Sequence, residues 1–166
     1  MWLDTTNVLI ASVMVIWFVE TGSDALLVSV DLASDGTLWT GGTNGTWGRS
    51  RDGGQTWTMG TVPGADTLQF RDVEAFSATH AVLLSIGNGA ASRVYTTDDG
   101  GATWALRWTN AEAEAFYDCM AFFDRQHGFA FSDAVGTRLP LIETRDGGAT
   151  WTAVPSTRVP AARPGE

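Results

Sequence analysis

The chain has 166 residues, 44% of them hydrophobic and 17% charged, which is typical of one globular domain and not of a disordered chain. Its 19 acidic residues against 10 Lys and Arg give a formal charge of −9, which disfavours nucleic-acid binding because phosphate backbones attract clustered cations. Cys119 is the single cysteine, so no internal disulfide and no thiolate-based zinc site is expected. We expect a protein without a cofactor or a metal ion.

Residues 1–20 form an apolar N-terminal segment that has two interpretations. The twelve apolar or small residues from Val8 to Val19 are too few for a membrane-spanning helix, which needs about 20. Their number suits a secretory signal, but Asp4 precedes them without any Lys or Arg, and no Ala-x-Ala site follows. The alternative is that Trp17-Phe18-Val19 forms a strand that closes the fold.

One octapeptide, Ser/Thr-x-Asp-Gly-Gly-x-Thr-Trp, occurs three times and organises the rest of the chain. Its aspartates recur at a constant period of 47 residues, at Asp52, Asp99 and Asp146. Self-similarity at such a period predicts a repeat fold whose units bury their apolar faces against one another. The Asp-Gly-Gly sequence predicts a tight hairpin turn, because Gly adopts a positive φ without steric cost.

Each shared position of the octapeptide suggests a structural role. The Asp can accept hydrogen bonds from amides of its own turn, and the Thr after the glycines is a further local partner. The Trp begins the outgoing strand and is suited to cover the hairpin or to fill the seam to the next unit. We therefore interpret as structural the residues Asp52, Gly54, Trp57, Asp99, Gly101, Trp104, Asp146, Gly148 and Trp151.

Aligned on the octapeptide, each unit offers four short runs with β-favouring residues separated by turn residues. The runs are 25–32, 37–40, 46–50 and 56–59, then 68–76, 80–86, 93–97 and 103–108, and finally 115–123, 128–132, 139–144 and 150–154. Four antiparallel strands form one blade of a β-propeller. The predicted fold is all-β, a partial β-propeller of about three four-stranded antiparallel blades at residues 21–60, 61–108 and 109–157.

The chain after the third unit lacks strand signals. Residues 158–166 read as a linker-like tail, because they follow Pro155, contain two further prolines and show no apolar alternation. Three blades are fewer than the usual four to eight of a closed ring. The chain is then the front part of a longer propeller, or it closes by self-association, or it exposes its terminal blades; we favour the first.

The octapeptide resembles the Asp-box, or bacterial neuraminidase repeat, of β-propellers that include sialidases, sortilin-type receptors and the photosystem II stability and assembly factor family. All three copies keep every fixed position of that pattern. The chain also resembles the assembly-factor-like group over about residues 17–157. The segments that carry this resemblance are Phe70-Arg71-Asp72-Val73-Glu74-Ala75-Phe76, Ser92-Arg93-Val94-Tyr95, Phe131-Ser132-Asp133 and Arg138-Leu139-Pro140-Leu141. The resemblance implies a structural role for the box, a parent protein roughly twice as long, and an exported location.

Alternating strand directions assign the loops to two rims of the predicted propeller. The boxes share the lower rim with His80 and His127, which are 47 residues apart and which we interpret as structural. The upper rim gathers the second-to-third-strand loops and the connections between blades, where residues on a rigid frame often carry function. The candidate binding residues of this rim are Arg71, Asp72, Arg93, Asp118 and Arg138.

Arginines on the rim of an acidic protein are suited to bind a carboxylate by bidentate hydrogen bonds. The resemblance implies a non-catalytic binding or scaffold propeller, whose partner is a protein segment or an acidic small ligand at the upper rim. Self-association is an open alternative, and no membrane span is expected. A purely structural alternative is that Arg71 pairs with Asp72, Glu74 or Asp118 and only joins neighbouring blades.

The competing function is that of a sialidase-type exo-glycosidase fragment. Those enzymes are known for an arginine triad and a Tyr nucleophile paired with Glu, which makes Tyr95 and Tyr117 the candidates. Two groups must flank the scissile bond at short separation, and no Tyr/Glu pair stands out. The Arg-Ile-Pro motif expected early in such proteins is missing, and Arg138-Leu139-Pro140 comes before the third box.

Overall fold

A computed structural model describes the backbone of residues 7–12 and 15–162, and the side chains from residue 21 onward. Asn7–Ser12 (β1) and Val15–Glu20 (β2) pair with each other as a separate antiparallel two-stranded sheet. The interpretation of this segment as a closing strand or a signal stays a prediction. Within the described residues, no helix is long and apolar enough to cross a membrane.

Three four-stranded antiparallel sheets follow, each with its strands in sequence order. Blade 1 contains β3 (Leu27–Leu32), β4 (Leu38–Gly42), β5 (Thr46–Ser50) and β6 (Thr58–Thr61). Blade 2 contains β7 (Gln69–Ala75), β8 (Ala81–Ile86), β9 (Arg93–Thr97) and β10 (Ala105–Thr109). Blade 3 contains β11 (Tyr117–Phe122), β12 (Gly128–Ser132), β13 (Leu141–Thr144) and β14 (Thr152–Ala153). The predicted all-β, partial propeller fold is confirmed.

The apolar core lies in the two seams between neighbouring blades. In the first seam Trp39 and Trp47 of blade 1 pack against Phe70 and Leu83 of blade 2, all of them buried. The box residue Trp104 joins this cluster, with its ring centroid 6.0 Å from that of Trp39 and 5.7 Å from that of Trp47. Each blade is thus stabilised by the apolar face of its neighbour.

The second seam is built on the same plan. Val82, Leu84 and Val94 of blade 2 meet Ile142 and Trp151 of blade 3, and none of the five is more than 7% exposed. The indole nitrogen of Trp151 also donates to the Gly148 carbonyl at 3.1 Å. The box tryptophans of blades 2 and 3 therefore lie on the side of the preceding blade.

A network of short hydrogen bonds fixes the Asp-box turn. In blade 2 the Oδ1 atom of Asp99 accepts from the Thr103 amide at 2.8 Å, and Oδ2 accepts from the Thr103 hydroxyl at 2.6 Å. The Thr97 hydroxyl donates to Asp99 at 2.9 Å and accepts from the Gly101 amide. Gly100 and Gly101 have φ values of 75° and 90°, a region that favours glycine. The turn is therefore held by its own side chains.

The network favours the ionised form of the box aspartates. Hydrogen bonds from the Thr103 side chain and backbone lower the pKa of Asp99 to about 2, and those from Thr56 do the same for Asp52. Each carboxylate is a strong acceptor that replaces water with fixed donors of its own turn.

We predict that Asp99→Ala lowers the thermal midpoint by several degrees, because the amide and hydroxyl of Thr103 both lose their acceptor. Differential scanning calorimetry measures the shift. Asp66→Ala, at an exposed residue of the connection between blades 1 and 2, is the control and should leave the midpoint unchanged. Equal shifts for the two variants would contradict a special role of the box carboxylate.

Candidate functional site

The lower rim carries the two histidines together with the box turns. The Nδ1 atom of His80 lies 2.6 Å from the carboxylate of Asp98, and Nδ1 of His127 lies 2.9 Å from that of Asp124. The box turn of blade 2 also donates from the Gly100 amide to the Thr79 carbonyl at 2.9 Å. These contacts place the first-to-second-strand turns beside the boxes. Among the described residues, no group of three His, Cys, Asp or Glu side chains is arranged to hold a metal ion.

The upper rim is formed by loops that interlock across blades 2 and 3. Asn88 pairs with Phe116 through an isolated antiparallel bridge, so the β8–β9 loop meets the connection to blade 3. The Asp133 amide donates to the Phe116 carbonyl at 3.0 Å from the next loop along. The backbone therefore gives the candidate residues of this rim a rigid support.

Asp72 ties the first strands of blades 2 and 3 together. Its Oδ2 atom accepts from the Met120 amide at 2.6 Å, and its Oδ1 atom accepts from the Val73 amide at 2.9 Å. Asp31 of blade 1 makes the corresponding contact by accepting from the Ala75 amide at 2.8 Å. Both carboxylate oxygens of Asp72 thus accept hydrogen bonds from backbone amides. A ligand that bound Asp72, as the sequence predicts, would have to compete with these amides.

Burial raises the pKa values of Asp72 and Glu74. Burial, opposed by the Met120 and Val73 amides and reinforced by the charges of Asp31 and Asp118, raises the pKa of Asp72 to about 6. Burial, with the charges of Asp31 and Asp72, raises the pKa of Glu74 to about 7. We name Asp31, Asp72, Glu74 and Asp118 the seam acids. Sequence analysis missed Asp31 and did not select Glu74 as a site residue, because spacing along one strand does not reveal which carboxylates meet across a seam.

The three candidate arginines differ in their surroundings. Arg71 is exposed and forms no ion pair within the part of the chain that the structure describes. Arg93 donates from Nε to the Ala90 carbonyl at 2.7 Å, which fixes it to its own loop. Arg138 forms an ion pair with Glu112. The structural alternative in which Arg71 pairs with a neighbouring carboxylate is therefore not realised in this geometry.

The structure brings some of the candidates together and leaves others apart. Burial raises the pKa of the Cys119 thiol, and both Asp118 and Arg71 lie close enough to influence it in opposite directions. Arg71, Asp72 and Asp118 therefore share one neighbourhood on the first strands of blades 2 and 3. Among the described side chains, no hydrogen bond or ion pair links Arg93 or Arg138 to this group.

The tyrosines of the glycosidase alternative lie in the core. Tyr95 and Tyr117 are each 4% exposed, and their rings pack edge-on against Phe70 and Trp108. Burial raises the pKa of Tyr117, which opposes formation of a phenolate. A Tyr nucleophile needs a neighbouring base to activate it, so this placement does not favour the sialidase-type mechanism.

Taken together, the three stacked sheets and their locked turns form a partial β-propeller of three blades with Asp-box turns. The BNR/Asp-box repeat family model matches residues 49–59, which include the whole of the first octapeptide. No curated protein matches the sequence. The resemblance to Asp-box β-propellers is thereby confirmed.

Solved structures with the same fold include two of YCF48. A structure of YCF48 bound to D1 peptide is 20% identical over 80% of this chain and 41% of that chain, with a TM-score of 0.61. YCF48 from Cyanidioschyzon merolae is 22% identical over 79% of this chain and 40% of that chain, with a TM-score of 0.56. The chain therefore spans about two fifths of the length of these YCF48 chains.

A glycoside hydrolase shares the fold as well. The GH74 xyloglucanase from Xanthomonas campestris is 17% identical over 78% of this chain and 21% of that chain, with a TM-score of 0.55. At these identities the likenesses show the fold alone. The same scaffold thus occurs in a peptide-bound protein and in a xyloglucanase.

The seam acids generate a pH prediction. The folded-state pKa values of Asp72 and Glu74 lie above their unfolded values, so the folded protein binds more protons and its free energy of unfolding should rise as the pH falls from about 7.5 to about 5. Below about pH 4 the sign reverses, because protonation breaks the contacts of Asp52 and Asp99, whose pKa values are lowered to about 2. Urea unfolding at several pH values measures both limbs.

The variant Glu74→Gln isolates the first limb, because it removes the carboxyl with the more strongly raised pKa and keeps the side-chain size. We expect it to flatten the rise in stability between about pH 7.5 and pH 5. Glu114→Gln changes an exposed carboxyl and should leave the slope as it is. An unchanged slope in Glu74→Gln would show that the seam acids do not control the pH dependence.

Proposed function

We propose that this chain is a non-catalytic binding or scaffold β-propeller, the N-terminal part of a longer propeller, which holds a protein segment at its upper rim. The observation that carries the proposal is the state of Arg71. Its guanidinium is exposed and without an ion pair among the described residues, although Asp118 lies nearby. Its donors are therefore available to a partner.

A carboxylate is the group that suits such a site. A guanidinium presents parallel N–H donors that match the two oxygens of a carboxylate, and charge-assisted hydrogen bonds of this kind exceed neutral ones in strength. The surrounding chain is acidic, with a formal charge of −9, so an anion approaches it against a general repulsion. The selectivity of binding therefore depends on the few positions where a cationic side chain is exposed.

Arg138 forms an ion pair with Glu112 but stays 42% exposed, so it offers a second point of contact on the same rim. It borders a hollow of about 230 Å³ between the β12–β13 loop and the tail, with Leu139, Val159 and Pro160 among its lining. The apolar lining beside a charged group suits a peptide that carries both an acidic and an apolar side chain. Arg93 is less available, because its Nε atom is engaged by Ala90.

The structural likeness gives support from another direction. One of the structures with this fold was solved with a bound D1 peptide, so a protein of this fold accommodates a peptide. The sequence resemblance to photosystem II assembly factors, carried by Phe70–Phe76 and Ser92–Tyr95, also fits the binding and scaffold role that we propose here. A protein segment is accordingly the partner class that we favour.

We predict that Arg71→Gln weakens binding of an acidic peptide by about 10- to 100-fold, which is the loss of one charge-assisted contact. Fluorescence polarisation with a panel of labelled acidic peptides, including the D1 peptide, measures the effect. Each peptide is compared with a form whose carboxylates are amidated, which should bind weakly to the wild type.

Arg51→Gln is the matched control. It removes the same charge from an exposed arginine in the box of blade 1, on the opposite rim, and should leave the affinity unchanged. If Arg71→Gln and the triple variant of Arg71, Arg93 and Arg138 to Glu stay folded and bind like the wild type, the upper rim is not the binding surface.

A further inference from the structure

Every blade has two faces, and the strand pairing assigns residues to them. Cross-strand partners of an antiparallel sheet point to the same side. We define the outgoing face of a blade as the one turned to the next blade along the chain. The strand register shows which residue pairs occupy equivalent positions on the outgoing faces of the three blades. The pair Trp39/Arg49 of blade 1 corresponds to Val82/Thr96 of blade 2 and to Phe129/Glu143 of blade 3.

A second set of pairs extends this relation. Gly41 pairs with Trp47 in blade 1, Leu84 with Val94 in blade 2, and Phe131 with Leu141 in blade 3. In blade 2 both residues are fully buried because blade 3 covers them. In blade 3 the corresponding Phe131 is 39% exposed. The outgoing face of blade 3 is therefore apolar but uncovered.

The box corner of one blade docks onto the outgoing face of the blade before it. In blade 3 a Cβ atom on Gly148 would lie 3.0 Å from Val82 and 3.4 Å from Thr96, so only a bare glycine corner fits closely there. The corner of blade 2 sits on blade 1 in the same way, and a Cβ on Gly101 would clash with the Trp47 ring. Both internal seams thus place a Gly-Gly corner on the face of the preceding blade.

The outgoing face of blade 3 contains a hollow at the equivalent place. Its volume is about 240 Å³, and it is lined by Phe123, His127, Phe129, Glu143, Thr144 and Arg145. Three of these residues, His127, Phe129 and Glu143, lie 47 positions after His80, Val82 and Thr96, which surround the corner of blade 3. The hollow therefore repeats the surface that receives a corner in the preceding seam.

We propose that this hollow is the docking socket for the Asp-box corner of a fourth four-stranded blade. The occupant is a hairpin that presents a bare Gly-Gly corner followed by Thr and Trp, as the boxes of blades 2 and 3 do. The inference rests on the proposed identity of the chain as part of a longer propeller. It adds which residues accept the next blade and through which of its elements.

The backbone after blade 3 follows the path of a connection between blades. The Ala162 amide donates to the Thr137 carbonyl at 3.1 Å, at the upper end of β12 and β13. After blade 1 the Val62 amide donates to the Gly45 carbonyl, and after blade 2 the Asn110 amide donates to the Ser92 carbonyl. All three connections thus make a backbone contact with the loop before the third strand of their blade, directly before that strand in blades 1 and 2 and four residues before it in blade 3.

The charged side chains of the socket have partners that would allow a fourth blade to bury them. Glu143 lies among apolar neighbours, but it forms ion pairs with Arg145 at 3.1 Å and with Arg158 at 3.2 Å. A docked corner would therefore not leave Glu143 buried without a partner, which is the costly case. Arg125 of blade 3 donates to the Phe76 carbonyl across the second seam, so a donor on the fourth blade is expected to reach the corresponding Phe123 carbonyl.

Adding a blade in the register of the repeat tests the proposal. One extended chain joins residues 1–158, which keep Arg158, to a second copy of 112–157, and another joins them to a copy of 65–110, so that each new box follows the third by 47 residues. We expect at least one to be a folded monomer with a higher thermal midpoint. Hydrogen exchange over residues 123–145 should slow by about tenfold or more relative to the original chain.

Phe123→Asp provides the decisive comparison, because Phe123 lines the socket and is 81% exposed without a fourth blade. We expect it to cost little in the original chain and to lower the midpoint of the extended chain by several degrees more. Leu106→Asp, at a 52% exposed residue of blade 2, is the control and should act equally in both chains.

Two results would overturn the proposal. The first is that neither extended chain gains stability or protection, or that Phe123→Asp acts equally in both. The second is that light scattering finds the original chain oligomeric and Phe123→Asp disperses it, which would make a second copy the occupant. Peptide binding is not measured in this experiment, so the proposed binding function stands or falls separately.

Discussion

The carboxylate of the Asp-box is the constraint on which the rest of the structure depends. Because Asp99 accepts from both the amide and the hydroxyl of Thr103, the turn closes on itself and leaves its glycines bare on the outside. Only a corner without side chains can approach the tryptophan-lined face of the preceding blade. The same turn delivers Trp104 to that seam. A hydrogen-bond network within one turn therefore determines how closely neighbouring blades can stack.

Two groups of acidic residues in this chain show how the surroundings of a carboxyl group set its pKa. The box aspartates are surrounded by donors of their own turn and stay ionised, with lowered pKa values. The seam acids lie between first strands, where burial and mutual repulsion raise the pKa of Asp72 despite two backbone donors. The first group stabilises single turns. The second includes Asp31 and Asp72, which join neighbouring blades by accepting from the backbone amides of Ala75 and Met120.

Structural contacts occupy most of the seams and the lower rim. These regions contain core residues, locked turns and histidine–aspartate pairs, whereas Arg71 on the first strand of blade 2 stays exposed. The same fold occurs in a peptide-bound protein and in a xyloglucanase, so the fold does not by itself determine a function. The uncovered face of blade 3 belongs to the scaffold, since its residues repeat those of a buried seam.

The sequence by itself determined the repeat, the blade and its strands, because a turn that is locked by its own residues needs no distant partner: β5, β9 and β12 have the predicted bounds. It also indicated that His80 and His127 share the rim of the boxes, since strand direction follows from the repeat. Tertiary structure alone decided that Asp72 bonds to Met120, that Arg138 pairs with Glu112, and that Asp31 and Glu74 join the seam acids. The contacts of Asp72, Asp31 and Glu74 cross between blades, and Arg138 and Glu112 lie on separate loops 26 residues apart. Such distances depend on how the sheets stack and how the loops fold, which no spacing along the chain encodes.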